Sequence, residues 1–281
     1  MTGSSLVIDI SKISGAQQEI RNDSVAVEEP LEIQLSSPTV QNCAAKSISI
    51  TMRTPGDDIE LALGFLFTEG IITGADQVRA AAAVGQPAPG SDLRNTIRVD
   101  LEPEVEVDLA RLQRHFYTTS SCGVCGKASL DALRVSGQKS LRGQMTRFRR
   151  KVIVTMPDKL RARQDLFSKT GGLHAAAAFN QDGDIIVLKE DVGRHNAVDK
   201  VIGWLLNNGR LPAGELGLLV SGRTSFELVQ KALVAGIPLL AAVSAPSSLA
   251  VRLAREFDLT LIGFLRAETF NIYAAAERIT T

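Results

Sequence analysis

Two thiols stand three residues apart in the segment Ser120-Ser121-Cys122-Gly123-Val124-Cys125-Gly126-Lys127. The helical pattern Ala128 to Leu133 follows at once, and Ser120 or Ser121 is placed to cap it. Unpaired N–H groups and the positive dipole end at a helix start favour thiolate over thiol, and Lys127 adds a positive charge. The flanking glycines let a second molecule approach the sulfur and let the loop swing. Three chemistries use such a Cys-x-x-Cys pair: half of a structural zinc site, a thioredoxin-type redox couple, or a cysteine that carries a group as nucleophile or persulfide while its neighbour assists release. A zinc site lacks its other half, because only Cys43, His115, His174 and His195, scattered along the chain, remain to complete it. A redox couple usually opens a helix directly after a strand, and Gln113 to Thr119 does not read clearly as one. The group-carrying reading fits best, with the other two as alternatives.

Four polar junctions in the second half could receive an anion. They are Thr170-Gly171-Gly172-Leu173-His174, Glu190 to Asn196, Ser221-Gly222-Arg223-Thr224-Ser225 and Ser244-Ala245-Pro246-Ser247-Ser248, and each reads as a helix start. Glycines let backbone N–H groups reach an oxyanion, hydroxyls add donors, and Arg194 and Arg223 offer paired donors for phosphate. Good capping explains any one of them alone. No Gly-x-Gly-x-x-Gly fingerprint or Walker-type loop occurs, which argues against a conventional dinucleotide or nucleoside triphosphate site. Between Ala132 and Pro157 the chain has seven basic residues (Arg134, Lys139, Arg142, Arg147, Arg149, Arg150, Lys151) and no acid. Such a run is either a solvated face or a dock for an acidic partner or polyanion. Only Phe148 interleaves, so stacking of nucleic-acid bases is poorly served.

The elements that must hold these residues divide the chain. Alternating stretches at Ser5 to Ile10, Leu31 to Leu35 and Ser47 to Met52 predict strands. A helix follows, with Thr54 as N-cap, Pro55 in the first position, Asp57 and Asp58 at the positive dipole end and Gly70 closing it. Ile59, Leu63, Leu66 and Phe67 share its apolar face. An Ala/Gly/Pro-rich loop over Ala80 to Gly90, a strand over Thr96 to Leu101 and a helix over Val107 to Phe116 complete an α+β half. From Lys151 the pattern alternates: strand Val152 to Thr155, helix Leu173 to Phe179, strand Ile185 to Leu188, helix Asn196 to Asn207, strand Leu216 to Val220. Helix Phe226 to Val234, strand Ile237 to Val243, helix Ser248 to Phe257 and strand Leu259 to Phe264 then give a βαβαβ run and a largely parallel, helix-covered sheet. Ligands of such sheets sit beyond the carboxyl ends of the strands, where the polar junctions fall. The expected division is residues 1–119, a 120–150 thiol loop, helix and basic connector, and 151–281.

A chain of 281 residues is long enough for a core without disulfide or metal staples. Thirty-one basic against thirty-one acidic residues leave no net field to gather nucleic acid or anionic membrane, so such partners are not expected. Three cysteines cannot make a disulfide framework, and reduced thiols suit a cytoplasm. No secretory leader or membrane-length apolar run is evident, so a cytoplasmic location is expected.

Thr68-Glu69-Gly70-Ile71-Ile72, the Ser121 to Gly126 thiol segment, Thr170 to His174, Glu190 to Lys200 with its Gly193-Arg194-His195-Asn196-Ala197-Val198-Asp199-Lys200 string, and Ser221 to Glu227 together resemble the FdhD family of formate dehydrogenase accessory sulfurtransferases. The resemblance implies an α/β chain with a cytidine-deaminase-like three-layer C-terminal domain and a smaller α+β N-terminal domain, forming homodimers. It implies a sulfur carrier that takes sulfane sulfur from a cysteine desulfurase. The sulfur goes to molybdenum cofactor, as the bis(molybdopterin guanine dinucleotide), destined for formate dehydrogenase. Cys122 matches the family's persulfide-bearing cysteine and Cys125 its partner, with no resident metal. Cofactor contacts are implied at Gly193, Arg194, His195, Arg223, Thr224 and Ser225, and at the turn Phe264, Leu265, Arg266, Ala267, Glu268 and Thr269. Family members commonly carry Gly or Pro and a second Arg where this chain has Ala267, Glu268 and Thr269. The deaminase kinship does not extend to catalysis, because His174-Ala175-Ala176 lacks the glutamate of a His-x-Glu site and the Cys pair precedes the histidine. A non-catalytic cofactor-binding chaperone is the competing reading, and it predicts that Cys122 is dispensable.

Overall fold

The computed structural model describes residues 3–37, 45–87, 92–105 and 140–281. All three cysteines, Lys127, His115 and the helix expected over 107–116 lie outside the described residues. The chain opens as an antiparallel ribbon of β1 (Ser5–Ser14) and β2 (Gln17–Ala26), longer than the expected strand and turned at Gly15 with φ +62°. Val7, Ile13 and Ile20 stay largely exposed on it. Next come β3 (Glu29–Ser36), β4 (Lys46–Arg53), helix α1 (Asp58–Thr68), β5 (Val78–Ala83) and β6 (Thr96–Leu101). The four strands form one sheet in the order β4-β3-β6-β5, with only β3 and β6 parallel. Alternation sends Leu31, Ile33 and Leu35 of β3 and Ile97, Val99 and Leu101 of β6 into the core beneath α1. The Ala/Gly/Pro-rich stretch is therefore not all loop, since its alanines extend β5.

Helix α1 begins three residues later than the sequence predicts. Its cap is Asp57, in the left-handed region at φ 56°, whereas Thr54 and Pro55 are buried in the bend before it. Gly70 does close it, at φ +71°.

The second half runs β7 (Phe148–Arg149), α2 (Arg150–Ile153), α3 (Met156–Ala162), α4 (Asp165–Thr170), β8 (His174–Phe179), β9 (Ile185–Asp191), α5 (Arg194–Asn207), β10 (Gly217–Val220), α6 (Phe226–Val234), β11 (Leu239–Ala242), α7 (Ser248–Glu256), β12 (Thr260–Arg266), β13 (Thr269–Ala274) and β14 (Ile279–Thr280). Two expectations fail. Val152 to Thr155 is not a strand: Val152 and Ile153 belong to α2 and turn inward, so burial overrides the β-branched preference. Leu173 to Phe179 is not a helix: its alanines form β8, an inner strand where their small side chains let helices approach on both faces.

The large sheet has the order β13-β12-β11-β10-β8-β9. Only β10, β11 and β12 pair in parallel; β8 and β13 run the opposite way and β9, beyond β8, returns to the direction of β10, so the sheet is mixed rather than largely parallel. Period-two alternation splits its side chains between two cores. Ala176, Ala178, Leu218, Val220, Leu240 and Ala242 face α5, α6 and α7, and Ala175, Ala177, Leu219, Leu239, Ala241 and Ile262 face Phe148, Ile153, Met156 and Leu160.

Helices α1 and α5 lie back to back between the two sheets, touching through Gly64 and Gly203. A Cβ on Gly64 would fall inside the van der Waals distance of the Asp199 carbonyl, and one on Gly203 inside that of the Glu60 carbonyl. One apolar core therefore runs from the four-stranded sheet through α1 and α5 into the six-stranded sheet.

Candidate functional site

Because β8 runs antiparallel to β10, its first residue lies at the carboxyl edge of the parallel strands. His174 stands opposite Asp191, the last residue of β9, and Ser221, just past β10, bonds through its N–H to Ala175 O at 2.9 Å. The junctions after β9, β10 and β11 thus meet His174 along one sheet edge.

A buried carboxylate builds the first junction. Asp191 is fully buried; its Oδ1 accepts from Gly193 N (2.8 Å) and Asn196 Nδ2 (2.9 Å), and its Oδ2 from Thr54 N (3.2 Å) and Lys200 Nζ (2.8 Å). Lys200 Nζ also donates to Thr54 O at 2.9 Å, Val192 N donates to Thr54 Oγ1 at 3.2 Å, and Asn196 Nδ2 donates to Met52 O at 2.8 Å. Thr54, expected to cap α1, instead clasps the start of α5. A side chain at Gly193 would press on the clasp, since a Cβ would meet Asn196 Nδ2 at 3.0 Å.

This clasp leaves Arg194 and His195 at the edge. The Arg194 stem and the His174 ring both lie against Gly222, where a Cβ would meet His174 Nδ1 at 3.2 Å and Arg194 Cδ at 3.9 Å. His195 Nε2 lies 3.2 Å from Ser225 Oγ and 3.9 Å from Glu227 Oε2. Burial, then the Arg194 charge and Lys231, push His195 down to about 4; burial and Arg194 also lower His174. Both rings are therefore neutral near pH 7, leaving the guanidinium as the charge between them. Burial pushes Glu227 up, but hydrogen bonds from Ser225 and from its own backbone N–H, with the Arg194 charge, outweigh it and hold the carboxyl below its usual range.

Two buried polar atoms have no hydrogen-bond partner among the described residues: Arg194 Nε and Thr224 Oγ1, Thr224 being 1% exposed. Buried polar groups are nearly always satisfied, which makes these two candidates for contact with a bound group. Three neighbouring hydroxyls are already engaged. Ser221 Oγ accepts from Ala175 N, Ser247 Oγ caps Ala250 N, and Thr170 Oγ1 donates to Leu166 O. Glu190 accepts from Leu166 N and Phe167 N and so caps α4. Thr170 to His174 is not a helix start: it leaves α4 through Gly171 at φ +68° and enters β8.

The structure thus gathers Gly193, Arg194, His195, Thr224, Ser225 and His174, with Arg223 exposed beside them. Phe264 joins this edge through its N–H to Ser244 O at 3.1 Å, in a kink at φ +52°. The Leu265 side chain is 0% exposed and points into the core, while Arg266, Ala267, Glu268 and Thr269 run out to the exposed tip of the β12–β13 hairpin. A recess of about 600 Å³ beside His174 and Ser221, walled by Leu160, Arg161, Gln164 and Phe167, is invisible in the sequence. Its walls come from α3, α4 and the link between them, whose spacing carries no binding signature.

A profile of the FdhD/NarQ family matches residues 26–280. The chain belongs to the FdhD/NarQ family. This FdhD/NarQ member is 48% identical to the sulfur carrier protein FdhD of Streptomyces avermitilis over 272 residues, 96% of this chain and 94% of that one. It is 48% identical to the protein of the same name from Mycobacterium tuberculosis, over 96% and 97% of the two chains, and 43% identical to that of Sulfurisphaera tokodaii, over 97% and 98%. Its fold matches the crystal structure of a provisionally assigned formate dehydrogenase accessory protein from Desulfotalea psychrophila, with TM-score 0.76, 26% identity and coverage of 99% and 100%.

Within the FdhD/NarQ chain, the Thr68-Glu69 and Asp199 signatures meet in a second buried cluster. Lys231 Nζ donates to Asp199 Oδ1 and Oδ2 (2.8 and 2.9 Å) and to Thr68 Oγ1 (2.8 Å), with Glu69 Oε1 at 3.6 Å. Burial alone would lower the Lys231 pKa, but the Asp199 and Glu69 carboxylates overcome it and hold the ammonium above its ordinary value. Most of the Gly193 to Lys200 string thus locks α5 in place, and only Arg194 and His195 are left for a ligand.

Proposed function

We propose that this FdhD/NarQ protein is a sulfurtransferase. It accepts sulfane sulfur on Cys122 from a cysteine desulfurase and delivers it to the molybdenum bis(guanine dinucleotide) cofactor destined for formate dehydrogenase. The observation that carries the reading is that relatives sharing 48% identity across almost the whole chain are named sulfur carrier proteins. The substrate is polyanionic, and the unpartnered Arg194 Nε and Thr224 Oγ1, beside exposed Arg223 and the starts of α5 and α6, suit its phosphates. The neutral His174 and His195 leave that positive charge undivided. A cytidine-deaminase-like arrangement of the three-layer half, a cytoplasmic setting and a homodimer belong to the same proposal.

The sulfur steps balance with the two thiols. The Cys122 thiolate attacks the outer sulfur of the donor persulfide and displaces the donor's cysteine thiolate, leaving a persulfide on Cys122. Cys125 then attacks Cys122 Sγ, forming a disulfide and releasing the terminal sulfur at the level of sulfide for the molybdenum substrate. A thiol reductant restores the dithiol.

Intact mass spectrometry after incubation with cysteine and a desulfurase tests the reading. One added sulfur, removable by dithiothreitol and absent from Cys122→Ala, is expected, together with loss of formate dehydrogenase maturation in that variant. Full maturation by Cys122→Ala would replace the sulfur carrier with a cofactor-holding chaperone. Stoichiometric zinc bound through the thiols would make the pair structural.

A further inference from the structure

More than half of the large apolar side chains exposed among the described residues lie on one element, the β1–β2 ribbon: Leu6, Val7, Ile8, Ile13, Ile20 and Val25. At its base the ribbon is tied to the body. Val27 N donates to Ser4 O at 2.9 Å, Ser4 Oγ donates to Pro55 O at 2.8 Å, and β2 lies against α4. Toward its turn it is open: every residue of β2 from Gln17 to Asp23 is exposed, Ile20 at 82%, and among the described residues β2 pairs with no strand but β1. Proteins guard such edges with proline or a bulge, and β2 has neither. A ribbon of two strands is also marginal by itself.

The turn fixes which groups face the open edge. Ser14 and Gln17 flank a two-residue loop, Gly15-Ala16, and in that geometry the closing pair exchanges both of its main-chain bonds. By alternation Gln18, Ile20 and Asn22 turn their N–H and C=O groups away from β1. The pairing of Ile20 with Ser11, Gln18 with Ile13 and Ser24 with Val7 puts Val7, Ile13 and Ile20 on one face.

We propose that the β2 edge pairs with the same edge of a second copy of this chain, antiparallel, with Ile20 on the twofold axis. The exposed run from Gln17 to Asp23 is centred on Ile20, so in that register it meets itself from end to end. Ile20 lies against Ile20 of the second copy, Gln18 against Asn22, and Glu19 against Arg21 once on each side of the axis. The outward N–H and C=O groups of Gln18, Ile20 and Asn22 supply the main-chain bonds. The twin Ile20 side chains, flanked by Ile13 of each ribbon, form one apolar strip across the seam. Centring the pair on Arg21 instead sets arginine on arginine and Glu19 on Asp23, so charge rejects the adjacent register. Opposite charges repeated about a single apolar centre select a second copy, and they select neither a foreign strand nor a bilayer. The family profile begins at residue 26, where the ribbon ends, so the seam is written in residues ahead of it. The proposal rests on the homodimer of the sulfur-carrier reading and names where it joins.

The test is sedimentation velocity of the full chain, of Glu19→Arg, of Arg21→Glu, and of the two variants mixed in equal amounts. Each variant alone sets like charges face to face across the axis, and the mixture sets opposite charges there again. Both positions are exposed, so the fold should hold, with far-UV circular dichroism as the check. Arg21 stands opposite Ile10 in its own ribbon, but Glu19 stands opposite Lys12. If Glu19→Arg loosens the ribbon, Ile20→Asp, which puts two carboxylates on the axis, takes its place beside Arg21→Glu. The unaltered chain should be a dimer, each variant should raise the dissociation constant about tenfold, and the mixture should recover the dimer. A chain that is monomeric at about 50 µM, a dimer unmoved by Arg21→Glu and Ile20→Asp, or a mixture no tighter than its separate components overturns the seam. Persulfide formation on Cys122, read in parallel, separates the two ideas. A loaded chain whose dimer ignores the substitutions defeats the seam alone, and absence of loading with a charge-switched dimer defeats sulfur transfer alone.

Discussion

His195 takes up a proton far less readily in the folded protein than in the unfolded chain, its pKa being pushed down from 6.5 to about 4 by burial and Arg194. Between those values the unfolded chain binds the extra proton, so stability is fully present above about pH 6.5 and drains away as pH falls toward 4. Urea denaturation at pH 7 and pH 5 should show this loss, and His195→Gln should reduce the difference between the two. Asp191 answers to a different force. Asp191→Asn leaves the Lys200 ammonium, 1% exposed, without its carboxylate, and a drop of about 3–5 kcal/mol in unfolding free energy is expected. Spacing marked Arg194 as a candidate anion donor, since a glycine before a helix with an arginine is a readable pattern, whereas His195 entered only through the family resemblance. It could not reveal that Asp191 anchors that turn or that Thr54 reaches across to it, because the partners are 137 residues apart in the chain.

Where α1 crosses α5, backbone meets backbone. Gly203→Ala would drive a methyl group against the Glu60 carbonyl, which cannot retreat without moving the helix. The expected cost is about 1–3 kcal/mol, or several degrees in melting temperature, read by circular dichroism. Gly209→Ala, at φ +63° but with open space around it, serves as the comparison that carries backbone strain without collision. At this scale the alternation from Ile185 to Phe264 was readable, because each strand there is a short apolar run and each helix has a polar start. The errors fell where composition and context disagree. Val152-Ile153-Val154-Thr155 has strand-forming residues, but Val152 and Ile153 supply the inward face of a short helix, and the alanines of β8 have helix-forming residues but fill an inner strand. Nor could spacing show that β8 and β13 run against the direction shared by β9, β10, β11 and β12.

Across the whole molecule, the four-stranded and six-stranded sheets share the α1–α5 pair instead of closing two separate cores. The chain should therefore unfold in one transition. Trp204, the sole tryptophan, lies on α5 and reports on it, so its fluorescence and far-UV circular dichroism should trace coincident curves. Zero net charge was legible at once, but the basic layer over residues 142–169 becomes a surface only when its apolar half turns inward. Helix α5 has a double allegiance: its first turn presents Arg194 and His195 to the sheet edge, while its body is held by α1 from the opposite half of the chain. A chimera that grafts the C-terminal half of one relative onto the N-terminal half of another would therefore inherit a misaligned first turn at that edge unless the α1 segment is transplanted along with it.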